Sequence, residues 1–129
     1  MAKVKVFLSF EFDRDNELQP NFYAQAKVHS CYEIENYSLE ETNRPNDNSW
    51  LREAEKQIAL SDIVIVVLGQ DTHNAPGVKK EVTIANKKGK PMFQTRPQKR
   101  TSGAVPGAGD EITWDWKQID AKISECLKR

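Results

Sequence analysis

The chain has 129 residues, with 19 basic and 19 acidic side chains, a formal net charge of zero and 29% charged residues. That length fits one domain with a core of its own, residues 1–129. The balanced charge argues against a nucleic-acid footprint, and no apolar run approaches the roughly 20 residues that span a bilayer. The first strand is not preceded by a secretory h-region. Cys31 and Cys126 have no CxxC or histidine-rich company, so they read as reduced thiols of a cytoplasmic domain, with neither a disulfide framework nor a metal site.

Residues 3–10, KVKVFLSF, begin as an alternating strand and turn fully apolar. Residues 11–19 form a polar loop without glycine. Pro20 suits a first helical position, and Phe22, Tyr23 and Ala26 give a short helical stripe to about His29. Residues 32–39 read as a second strand, interrupted by Glu33, Glu35 and Asn36 and therefore near the sheet edge. A polar loop, residues 40–48, contains Pro45. Asp47 or Asn48 would cap the next helix, which lines one face with Trp50, Leu51, Ala54 and Ile58.

Residues 63–68, IVIVVL, have the uninterrupted apolar pattern of a strand buried on both faces in a parallel sheet. Gly69 ends it, polar and turn-forming residues follow, and Pro76 stands near the next helix start. At roughly 100° per residue, Val78, Val82 and Ala85 form one stripe. Glu81 lies beside that stripe, with Ile84 on its other side, so a carboxylate falls within an apolar arc. Lys87, Lys88 and Gly89 give the basic-then-glycine ending that helix C-termini prefer. Residues 90–95 are a short fourth strand, and residues 96–110, rich in Gly, Pro, Ser and basic side chains, read as a mobile loop. Ile112 and Trp114 mark a short fifth strand. Trp116, Ile119, Ile123, Cys126 and Leu127 form the stripe of a closing helix.

Strands alternating with helices imply α/β architecture: a flavodoxin-like three-layer sandwich with a central, mostly parallel sheet of about five strands. Ligands of such sheets bind at the carboxyl edge, where the loops after strands one and three meet. This brings Ser9, Phe10, Glu11 and Asp13 beside Gly69, Asp71, Thr72, His73 and Asn74, with Glu81 below.

Several chemistries of α/β proteins lack their residues here. The first loop has no glycines to cradle phosphate. The third strand ends in Leu68 and Gly69 where a receiver domain needs an acceptor aspartate. A Toprim-like metal pair would need a second acidic partner for Asp71 beside Glu11. Neither Ser9 nor Cys31 has a histidine nearby in sequence to act as base. Cleavage of an N-glycosidic bond asks for less: one carboxylate to stabilise an oxocarbenium-like ribose, and an apolar or aromatic wall for the leaving base. Glu81 can be that carboxylate, with Phe10 or Trp50 as the wall.

Each residue also has a plainer reading. Periodicity alone allows Glu81 to be a surface glutamate or a partner for Lys79. Phe10 and Trp50 could be core. His73 could be an exposed loop residue or a proton-transfer group. Asp13, Asp71 and Asn74 could be turn formers or hold ribose hydroxyls, and Arg96, Lys99 and Arg100 could be solvated or clamp a pyrophosphate.

VFLSF, the run ending in YSLEE, SDIVIVVLGQDTHN and VKKEVTIANKKGKPMF together resemble a TIR domain, especially the TIR-like branch that handles NAD in Thoeris anti-phage systems. The likeness covers most of residues 3–96, and the ITWDWKQI helix also fits. It implies that Glu81 is the catalytic glutamate of NAD cleavage, that NAD is a substrate and no cofactor is needed, and that nicotinamide is released. It further implies an ADP-ribose-derived, cyclic signalling product read by a downstream effector. The family also assembles through the loop after strand two, here residues 39–48, so a non-catalytic scaffold is the alternative. A nucleoside deoxyribosyltransferase-like enzyme using the same glutamate is a third reading. Many relatives carry a tryptophan shortly before the glutamate, where this chain has Ala75, Pro76 and Gly77.

Overall fold

The computed structural model describes residues 3–10, 18–38, 50–69, 72–97 and 103–128. Glu11, Asp13, Asp71, Lys99, Arg100 and the loop at residues 39–48 lie outside the described residues. The elements run β1 (Lys3–Ser9), α1 (Leu18–His29), β2 (Glu33–Asn36), α2 (Trp50–Leu60), β3 (Ile63–Val67), a 3₁₀ turn (Thr72–Asn74), α3 (Pro76–Lys87), β4 (Met92–Arg96), β5 (Glu111–Thr113) and α4 (Trp116–Leu127). The five strands form one sheet of order β2-β1-β3-β4-β5, parallel at every pairing.

Side chains of a strand alternate between faces, and each strand here divides its apolar residues accordingly. Val4, Val6, Leu8 and Phe10 share one core with Ile63, Ile65, Val67 and Phe93, covered by α1 through Leu18, Phe22 and Ala26 and by α4 through Trp116, Ile119 and Ile123. Phe7, Val64, Val66 and Met92 face the other way, against Ala54 and Ile58 of α2 and Val78, Val82 and Ala85 of α3. The expected three-layer sandwich is therefore present. β3 is buried at all five positions, as its uninterrupted apolar run implies.

The sheet edges depart from the expected bounds. β2 is limited to four residues, fitting a strand that pairs on one side only. Trp114 lies past β5, and its indole N–H donates to Gln25 Oε1 at 2.8 Å. The last part of the expected mobile loop is packed instead. Val105 and Ala108 are buried, and Gln94 ties the segment down: its Oε1 accepts from Val105 N–H at 2.7 Å, and its Nε2 donates to Gly109 O at 2.8 Å. Composition signals turns correctly there, but it does not signal that a buried glutamine waits beneath them.

The end of α3 follows its sequence signal closely. Gly89 has φ 66°, its N–H donates to Asn86 O at 3.1 Å, and Lys90 N–H donates to Ala85 O at 3.0 Å. These paired bonds are a Schellman ending, which satisfies carbonyls the helix leaves open and turns the chain into β4.

Candidate functional site

The strand order reverses between β1 and β3, so the crevice between the loops after these strands is the ligand position that an open α/β sheet offers. Ser9 ends β1 opposite Val66 of β3. It follows Phe7 by two positions, so it leaves the sheet on the face covered by α3. Pro76 opens α3, placing Glu81 one turn and a half into the helix, within the buried set Val78, Glu81, Val82 and Ala85. The two meet: Ser9 Oγ donates to Glu81 Oε1 at 2.7 Å, and both residues have 0% exposure. A carboxyl group taken from water is costly unless hydrogen-bonded, and this hydroxyl supplies one short bond.

The approach to α3 is built from Thr72, His73 and Asn74. Thr72 is buried, its Oγ1 accepts the Gly69 N–H at 2.7 Å, and its carbonyl accepts the Ala75 N–H at 3.0 Å. Through Thr72, that pair of bonds ties Gly69, just past β3, to Ala75, just before α3. His73 is half-buried, and its Nδ1 accepts the Gly103 N–H at 3.0 Å. In the neutral ring the proton therefore resides on Nε2. Asn74 lies in the same turn and is exposed.

The remaining expected residues are distributed differently. Phe10 is fully buried in the opposite core, on the face of α1 and α4, because it is one residue out of phase with Ser9. Trp50 packs on the α3 side; a Cβ at Gly77 would lie 3.8 Å from its ring, beside the start of the Glu81 helix. Arg96 forms a two-pronged ion pair with Glu111, through Nε and Nη2 at 2.9 Å each, which ties β4 to β5. The bond raises the arginine's pKa and lowers the glutamate's. Gln94, which joins the site's neighbouring loop to β4, has no sequence signal beyond being polar in an apolar strand. Thr95 Oγ1, in β4 between β3 and β5, is also buried, without a hydrogen-bond partner among the described residues. No group of three or more His, Cys, Asp or Glu among the described residues could hold a metal ion. No helix among them is long and apolar enough to cross a membrane.

Fold and site thus define a doubly wound, all-parallel α/β domain with a buried serine–glutamate pair at its switch point. The sequence profile of the Thoeris protein ThsB, TIR-like domain, matches residues 7–102, and the chain belongs to that family. A search of curated proteins gives no match. Among solved structures, the chain is similar to a 3-dehydroquinate dehydratase-like protein from Bifidobacterium longum, at 15% identity over 99% of this chain and 97% of the other, TM-score 0.54. It is similar to the CMP N-glycosidase BcmB of Clostridium botulinum at 14% identity over 94% and 98%, TM-score 0.53. A prokaryotic SEFIR domain aligns at 14% identity over 97% and 96%, TM-score 0.49. At these identities the likeness is one of fold.

Proposed function

We propose that the chain is an NAD-cleaving TIR enzyme of Thoeris anti-phage defence, with Glu81 as its catalytic carboxylate. The observation that carries this reading is the fully buried Glu81, held by the Ser9 hydroxyl at the switch point of the sheet. The C–N bond to nicotinamide breaks toward a ribosyl cation, and a fixed carboxylate in a site of low dielectric stabilises such a charge far better than water does. Membership of the ThsB TIR-like family supports the same reaction class.

In this reading Ser9, Thr72, His73 and Asn74 border the substrate, with Asp13 and Asp71 from the adjoining loops, and Phe10 braces the end of β1 from behind. NAD is the substrate, no metal or cofactor takes part, and the released ADP-ribosyl group becomes a nucleotide signal, cyclic in form, for a downstream effector. Glu81 has no exposed surface, so the substrate must displace whatever covers it. Nicotinamide release from NAD by the purified protein is expected to fall at least about a hundredfold in Glu81→Gln. Equal release by both proteins would reject Glu81.

The complete burial of Glu81 also favours a second reading, an assembly module in which the pair is structural. Self-association on a sizing column that ignores NAD, in a protein without turnover, would support that alternative.

A further inference from the structure

We infer that Ser9 is a positioning residue whose hydroxyl fixes the orientation and charge of the Glu81 carboxylate. The inference rests on the reading of Glu81 as the reacting group, and it adds how that group is held.

Ser9 interrupts an otherwise apolar strand end, with Val6, Phe7 and Leu8 before it and Phe10 after it, all fully buried. An apolar residue at position 9 would continue that pattern and pack on α3. The hydroxyl instead stands 2.7 Å from Glu81 Oε1, and register with Val66 fixes its height against the central strand. Rotation about the last side-chain bond of a glutamate is broad and roughly two-fold. A donor anchored in β1 removes that freedom and presents the carboxylate plane in one orientation before substrate arrives. A serine has one proton to donate. Because Oε1 receives it, Ser9 has no proton left for a substrate hydroxyl, which distinguishes it from a simple ribose-binding donor. Hydrogen bonding to the ionised form also favours that form against the desolvation that opposes it.

The test combines nicotinamide release from NAD with titration of the Glu81 side-chain carboxyl carbon by 13C NMR, the resonance being assigned by its loss in Glu81→Gln. Ser9→Ala is expected to lower kcat about ten- to a hundredfold while KM for NAD stays within about twofold, since misplacement of a reacting group costs rate rather than binding. Its acid limb moves to higher pH, and so does the midpoint of the Glu81 resonance. Ser9→Thr, which keeps the hydroxyl, recovers most of the lost rate and of the midpoint. If Glu81→Gln is inactive while Ser9→Ala matches wild type in kcat, pH profile and midpoint, the positioning role is overturned and the catalytic glutamate stands. If none of the proteins cleaves NAD, the catalytic reading fails, and the titration still decides Ser9: an unmoved midpoint overturns its hold on the carboxylate, an upward shift supports it. Should Ser9→Ala not fold, Ser9→Cys, of similar size with a weak donor, takes its place with the same expected directions.

Discussion

Exchanging the Ser9 hydroxyl for hydrogen leaves a buried carboxylate with one donor fewer, and a hydrogen bond to a charged group contributes about 1.5–3 kcal/mol. In a Glu81→Gln background the acceptor is a neutral amide oxygen, and the same loss costs about 0.5–1.5 kcal/mol. The two substitutions should therefore couple by about 1 kcal/mol in urea unfolding of the four proteins. Strict additivity would show that the bond does not serve the charge. At this scale the sequence was partly legible. Glu81 stood out as a carboxylate in an apolar arc, and Ser9 could be set near it by topology. The bond itself was not legible, because it depends on Ser9 sharing a face with Phe7 and on the depth of α3, which no local pattern encodes. Phe10 shows the same limit, since a shift of one residue along a strand sends a side chain to the other core.

Two glycines separate an element's local needs from its packing. Gly89 has φ 66° and nothing within 4 Å of where a Cβ would stand, so it serves only the left-handed ending of α3. Gly109 has φ 83°, and a Cβ there would lie 2.2 Å from the carbonyl oxygen of Met92, which is backbone and cannot turn aside. Gly109→Ala is expected to cost about 2–3 kcal/mol, and Gly89→Asn about 1 kcal/mol or less, because asparagine tolerates this conformation. Thermal unfolding of both variants checks the contrast, and equal losses would contradict it. The stop of α3 was readable because Lys87, Lys88 and Gly89 act within one turn. The fit of Gly109 over β4 was not, since its neighbour Met92 is brought there by the strand pairing and by the Gln94 bonds. For the same reason a stretch that looks like loose loop in composition holds the buried Val105 and Ala108.

A tyrosine hydroxyl joins α1 to β1, and it makes stability depend on alkaline pH. Tyr23 of α1 donates to Val6 O of β1 at 3.0 Å and shares a hydrogen bond of 2.8 Å with Ser38 Oγ. Burial pushes its phenol well above the ordinary 10.0, and the Ser38 bond opposes this only in part. The folded protein thus keeps a proton that the unfolded chain gives up. Stability from this group is complete below about pH 10 and declines as pH rises beyond it, with a slope approaching about 1.4 kcal/mol per pH unit. Tyr23→Phe should be less stable near neutrality, having lost both bonds, yet show a flatter decline above pH 10 in urea titrations. A decline as steep as that of wild type would assign the alkaline loss to other groups. The overall architecture was the most legible level of all, because alternating strands and helices around the run at residues 63–68 admit few parallel arrangements. A different consequence follows from the distance in sequence between Ser9 and Glu81, which are 72 positions apart. A ribosome releases β1 long before it has made α3, and β3 must find its place between them before serine and glutamate can touch. Under the proposed reading, NAD cleavage that depends on this pair has no assembled site to act from before the helix bearing Glu81 has emerged and docked.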